Sequence, residues 1–142
     1  MKYRPLSIFL AEDNADDIEI TKRAFAKCGI ASRLIVARDG EEAIRLLGET
    51  VHAGTTDLAM LDIKLPRLNG FEVLAHIRAD KSLAALPVIM LSASAHEEDI
   101  ERSYRLGANT YVQKPVAFEA FVETLDTLCR YWFEIAKLPR AA

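Results

Sequence analysis

Leu58-Ala59-Met60-Leu61-Asp62-Ile63-Lys64-Leu65-Pro66-Arg67-Leu68-Asn69-Gly70 is the stretch from which the fold is read. Its first four residues are apolar without alternation, the pattern of a strand buried on both faces of a parallel sheet. The run stops at Asp62, a carboxylate at the C-terminal edge of that strand, where open α/β sheets place their chemistry. Pro66 and Asn69-Gly70 then break the chain before the next helix. Asp62 alone could be an ordinary turn residue, so its meaning depends on what the other strand ends carry.

Working outward, four more segments have strand character. Leu6 with Ile8 to Ala11 forms a first buried strand that ends in Glu12-Asp13-Asn14, followed by Asp16-Asp17. Arg33 to Ala37 is a second, Pro87 to Leu91 a fourth that runs into Ser92-Ala93-Ser94, and Thr110 to Gln113 a fifth that leads to Lys114-Pro115. Helical spacing of apolar residues marks Ala15 to Cys28, closed by Gly29; after a turn at Asp39-Gly40, Ala43 to Leu47 mark a helix to about Gly48, Phe71 to Arg78 a third, and about Glu97 to Leu106 a fourth closed by Gly107. Residues 49–56 read as a loop, longer than most connections. Of the histidines, His52 falls in that loop and His76 and His96 on helices.

Five alternations of strand and helix imply parallel strands joined by right-handed crossovers. The predicted fold is α/β, a doubly wound five-stranded parallel sheet in the order 2-1-3-4-5. The 142 residues fit a single domain, and 51% hydrophobic residues suffice for a core. The net charge of -3, with 18 scattered Lys and Arg, argues against nucleic acid or an anionic membrane as direct partners. The apolar start is cut short by Glu12 and Asp13, too early for a secretory leader or a membrane span. Cys28 and Cys129 lie far apart and outside any metal-binding spacing, which suits unpaired thiols in a reducing cytoplasm.

In that strand order the ends of strands one, three, four and five lie side by side, so Glu12, Asp13, Asp62, Ser92 and Lys114 share one pocket. Three crowded carboxylates need a divalent cation at neutral pH, and all-oxygen ligation suits Mg²⁺. Lys114 adds a point charge and Ser92 a hydroxyl, which together make a cradle for phosphate. An Asp carboxylate in such a cradle can attack a phosphoryl group and carry it as an acyl phosphate, with Ser92 and backbone N–H groups near Ala93 donating to its oxygens.

Glu12-Asp13-Asn14, the stretch from Met60-Leu61-Asp62 to Pro66 and Gly70, Leu91-Ser92-Ala93 and Lys114-Pro115 resemble the receiver domain of two-component response regulators, a flavodoxin-like fold, over almost the whole chain. The resemblance implies Asp62 as phospho-acceptor, Glu12 and Asp13 as the Mg²⁺ pair, Ser92 as the switch hydroxyl, Lys114 as the phosphate-binding lysine and Tyr111 as the switch aromatic. It also implies a sensor histidine kinase as donor and leaves open onward transfer to a histidine phosphotransfer protein. Ala11 to Asp17, Ala37 to Ala43, the loop before Asp57 and Arg102 to Asn109 are similar to the stand-alone regulators of phytochrome kinases. Lys64 departs from the polar residue usual two places after the acceptor. Its carbonyl can still bind the metal, while its side chain alters how water reaches the acyl phosphate.

The last helix begins near Ala117. Phe118, Phe121, Val122, Leu125, Leu128, Trp132 and Ile135 recur at helical spacing over roughly five turns, past about residue 130. A small sheet does not cover such a length. Trp132, Phe133 and Ile135, with Phe121, are therefore expected to form an apolar patch for a homodimer.

The residues also bear on three other functions. A flavin site would need a neutral, hydroxyl-rich loop where Glu12-Asp13 stands. An aspartyl phosphatase would carry a second carboxylate at Lys64. A phosphorylation-independent binding module would keep the pocket for structure only.

Overall fold

The computed structural model describes residues 6–27, 32–52 and 56–139. Five strands, β1 (Leu6–Ala11), β2 (Ser32–Ala37), β3 (Leu58–Leu61), β4 (Val88–Ser92) and β5 (Thr110–Gln113), form one parallel sheet in the order β2-β1-β3-β4-β5. The helices are α1 (Ala15–Lys27), α2 (Gly40–His52), α3 (Gly70–Ala79), α4 (Glu97–Arg105) and α5 (Phe118–Arg130), with a short 3-10 turn at Lys81–Leu83 and a π-helical turn at Tyr131–Ile135. The topology and fold class agree with the sequence expectation.

Because successive side chains of a strand point to opposite faces, the buried runs of the central strands fill two cores. Phe9, Ala59, Leu61, Val88 and Met90 pack with Ala43 and Leu47 of α2 and Phe71, Val73, Leu74 and Ile77 of α3. Ile8, Leu10, Leu58, Met60, Ile89 and Leu91 pack with Ile18, Ala24 and Phe25 of α1 and Phe121 and Leu125 of α5. The register aligns Leu10 with Met60 and Met60 with Ile89, so large side chains stack in rows across the sheet.

Local chemistry sets the helix starts. Asn69 and Glu72 form a reciprocal capping box on α3, each side chain accepting from the other's backbone N–H. Asn14 Oδ1 accepts from the Asp17 N–H at 3.0 Å, and Asp39 Oδ1 from the Glu42 N–H at 2.8 Å. The loop after β3 is tight, with Arg67 at φ 69°. A Cβ on Gly70 would lie 2.2 Å from the Asp62 carbonyl oxygen, so only glycine lets α3 start against the end of β3.

Several details differ from the sequence reading. α2 continues through Gly48 to His52 instead of stopping at Gly48, because Gly48 faces open space and Thr50 Oγ1 donates back to the Leu46 carbonyl. In α4, Ser103 is the fully buried residue while Tyr104 is 50% exposed. α5 gives way at Tyr131 to the π-helical turn, and Trp132 and Phe133 within it pack on the core. The Phe133 ring lies 5.9 Å from that of Phe25. Cys129 is buried and disulfide-bonded, which corrects the expectation of an unpaired thiol there. Cys28 and Gly29 lie outside the described residues.

At the N-terminal end of the strands, Arg78 holds several loops together. Its guanidinium donates to the carbonyls of Gly107 at 2.9 Å, Leu86 at 2.8 Å and Ala84 at 3.2 Å and to Asn109 Oδ1 at 3.0 Å, and burial lowers its pKa. Asn109 Oδ1 also accepts from the Val88 N–H. Replacing Arg78 by Ala leaves these acceptors short of donors, and a loss of about 2–4 kcal/mol in urea-denaturation stability is expected, with Arg78→Lys recovering only part of it.

Candidate functional site

Backbone pairing runs one residue past the strands and carries the polar residues with it. The Asp62 N–H donates to the Ala11 carbonyl at 3.0 Å, the Glu12 N–H to the Ala37 carbonyl at 2.9 Å and the Lys114 N–H to the Ser92 carbonyl at 2.7 Å. Glu12, Asp62, Ser92 and Lys114 thereby stand side by side at the C-terminal edge of the sheet. All four are buried, whereas Asp13 is exposed at the rim.

The Lys114 ammonium lies among carboxylates. It donates to Asp62 Oδ2 at 3.0 Å, to Asp17 Oδ2 at 3.1 Å and to Glu12 Oε1. Burial alone would push this ammonium down, but the charge of Asp62 and the bond and charge of Glu12 outweigh it and hold the pKa above the usual lysine range. Burial pushes Glu12 up to about 7; the Asp62 charge adds to that rise and the bond to Lys114 opposes it. Glu12 Oε2 also accepts from the Asn14 N–H at 3.2 Å.

Glu12, Asp13 and Asp62 each offer a carboxylate oxygen, and these oxygens lie within 4.8 Å of one another. An all-oxygen trio with one exposed member fits a hard divalent cation that keeps part of its water shell. Lys64 is exposed, and its backbone N–H points to Asp62 Oδ1 at 3.4 Å, so its peptide borders the trio while its side chain faces solvent.

The remaining expected residues fall into three groups. Ser92 is buried at the end of β4, with its Oγ 3.4 Å from the Ser94 N–H, and Ala93 is exposed just beyond it. Tyr111 is half-buried against the α2–α3 core and its hydroxyl donates to the Ser94 carbonyl at 2.8 Å; Ser94 Oγ in turn donates to Asp99 Oδ2 at 2.5 Å. The apolar residues expected to project do so only in part. Phe121 is 4% exposed within the core, and Trp132 and Phe133 pack against that core because they continue the buried stripe of Leu125 and Cys129; Ile135 is 67% exposed. Asp17 was missed as a partner of Lys114. The signal for it was its place four and seven residues before Thr21 and Ala24 on the buried stripe of α1.

A profile of the response regulator receiver domain matches residues 8–126. The chain belongs to that family. Among its relatives, the probable methanogenesis regulatory protein FilR2 of Methanothrix harundinacea is 33% identical over 97% of this chain and 90% of its own. Response regulator Rcp1 of Synechocystis is 32% identical over 96% of this chain and 95% of its own. A crystal structure of Rcp1 with bound Mn²⁺ superposes with a TM-score of 0.89 over 95% of this chain and 99% of that one, at 31% identity. The phosphorylated cyanobacterial phytochrome response regulator RcpA superposes with a TM-score of 0.88 over 96% and 99%, at 37% identity. The acidic pocket of this receiver suits Mg²⁺ or Mn²⁺.

The raised Glu12 pKa makes cation binding depend on pH. A carboxyl that sits near 7 when folded and 4.5 when unfolded takes up a proton on folding between those values, so its contribution to the stability of the metal-free receiver falls as pH rises through that window. The cation needs the ionised form. Mg²⁺ affinity is expected to rise several-fold from pH 6 to pH 8, with proton release at pH 6 seen by titration calorimetry in buffers of different ionisation enthalpy.

Proposed function

We propose that Asp62 accepts a phosphoryl group from a sensor histidine kinase of phytochrome type and that the acyl phosphate switches a protein-interaction face. The observation that carries this reading is the Lys114 ammonium 3.0 Å from Asp62 Oδ2, beside the carboxylate trio. The charge arrangement supports transfer by an in-line displacement. An Asp62 oxygen forms the new P–O bond as the donor's N–P bond breaks, and the imidazole leaves with the electron pair and takes a proton from water.

Each neighbouring residue has a role in this reading. Glu12, Asp13 and Asp62, with the Lys64 carbonyl, would hold Mg²⁺, which when bound supplies positive charge to the transferring oxygens. Lys114 balances the charge added at Asp62. The Ser92 hydroxyl and the N–H groups near Ala93 donate to the phosphoryl oxygens. Drawing Ser92 toward the phosphoryl group pulls on the Ser92–Ser94 turn, to which the Tyr111 hydroxyl is bonded, so Tyr111 reports the event on the α4–β5–α5 face.

The same reading makes residues 1–142 one receiver unit, with a target protein or a histidine phosphotransfer protein as a partner of its phosphorylated form. The near-full-length cover of its relatives supports this. Among the described residues no helix is long and apolar enough to cross a membrane. We place the protein in the cytoplasm, where an ATP-dependent kinase works, against the oxidising setting that a disulfide at Cys129 favours. Homodimerisation is supported by Tyr131 and Ile135, 48% and 67% exposed at the end of the helical tail. If this end pairs two copies, Ile135→Lys should sediment as a monomer under conditions where the parent is a dimer.

The leading test uses a small donor. With acetyl phosphate and Mg²⁺, intact-mass spectrometry should show one added phosphoryl group, absent without the cation and absent in Asp62→Asn. An unlabelled parent protein would instead support a binding module that works without phosphorylation.

A further inference from the structure

Lys114 has three partners in the structure, and they differ in what else is asked of them. Glu12 belongs to the carboxylate trio, and Asp62 belongs to it and carries the phosphoryl group in the function proposed above, on which this inference rests. Asp17 is the third, 3.1 Å away, and has neither task. An ammonium has three N–H bonds, and here each has an acceptor. We infer that Asp17 is a positioning residue for phosphoryl transfer: it anchors one N–H of Lys114 throughout, so that another stays aimed at Asp62 when the cation draws on Glu12 and the phosphoryl group arrives.

The fold supports a dedicated anchor. Asp17 sits in the first turn of α1 at the head of the stripe formed by Thr21 and Ala24, both buried, so its side chain lies over the sheet edge and not in open solvent. Its side chain is 26% exposed, while that of Lys114 is 8% exposed. The helix start does not depend on this carboxylate, since Asn14 caps α1 through the Asp17 backbone N–H. Thr21 Oγ1 donates to the Asp17 carbonyl at 2.8 Å and fixes the turn from the other side. Asp16, its neighbour, is exposed and outside the partners of Lys114. A general preference for acids near a helix N-terminus applies to both residues, but only Asp17 reaches the lysine.

The substitutions separate anchoring from charge. Asp17→Ala removes the acceptor and the charge, Asp17→Asn keeps an acceptor oxygen without the charge, and Asp16→Ala removes one exposed charge from the same turn. Phosphorylation by acetyl phosphate and by phosphoramidate is followed at saturating Mg²⁺, and the maximal rate is separated from the half-saturating donor concentration. The expected result for Asp17→Ala is a maximal rate lower by about tenfold with both donors. Asp17→Asn should stay within roughly two- to threefold of the parent and bind the more highly charged acetyl phosphate better by roughly two- to fivefold. Asp16→Ala should match the parent.

A maximal rate for Asp17→Ala equal to that of the parent, or an equal loss in Asp17→Asn or Asp16→Ala, overturns the inference. If Asp17→Ala melts well below the parent, Asp17→Ser takes its place, because the shorter side chain cannot span to Nζ, and the same criteria apply. A parent protein that takes no phosphoryl group defeats the acceptor reading and this inference together. A labelled parent with unaffected Asp17 variants defeats this inference alone.

Discussion

One buried ammonium at the end of β5 joins pieces of chain that backbone pairing alone would leave loosely matched. Lys114 reaches the residue after β1, the residue after β3 and the first turn of α1, all through carboxylates. Glu12 and Asp62 lie under 10% exposed, so each would repel the other strongly in a medium that screens poorly. Taking away the single cation from such a group typically costs about 3–5 kcal/mol, because charges remain buried without a counterpart. Attraction to Lys114 and repulsion among the acids are opposed in the resting protein. A divalent ion relieves the second without replacing the first, which is why a single pocket can be both a structural joint and a reactive centre.

Much of this edge could be read before any coordinates. The uninterrupted apolar run of Leu58 to Leu61 fixed a strand buried on both faces, and the abrupt change to Asp62 marked its end. The same change from apolar to polar occurs at Glu12 and Ser92, while Lys114 follows the polar Gln113 that ends β5. Given the strand order 2-1-3-4-5, residues separated by up to 102 positions have to meet. Strand ends are legible because the side-chain period is short and a charged residue cannot continue a buried strand.

What escaped the sequence was direction and termination within helices. A first-turn acid such as Asp17 follows general helix preferences, so its place on the buried stripe of α1 gives its direction but only the depth of α1 against the sheet reveals its partner. Gly48 looks like a stop signal, yet a glycine with open space around it costs a helix only about 1 kcal/mol, and the bonds of α2 carry through it. The apolar spacing after Arg130 is compatible with a straight helix that projects. Trp132 and Phe133 continue the buried stripe of Phe121, Leu125 and Cys129, and what periodicity does not show is that α1 extends far enough for Phe25 to meet them.

The phenol of Tyr104 has a consequence for how this molecule meets others. β5 is the last strand on its side of the sheet, and its Tyr111 N–H is met not by a further strand but by the Tyr104 hydroxyl at 3.1 Å. Lateral accretion of a foreign backbone along that margin would have to displace the phenol, so the half-exposed ring acts as a guard against ribbon-like self-association. Recognition on this flank is therefore left to side chains, which can be selective in a way that bare amides are not.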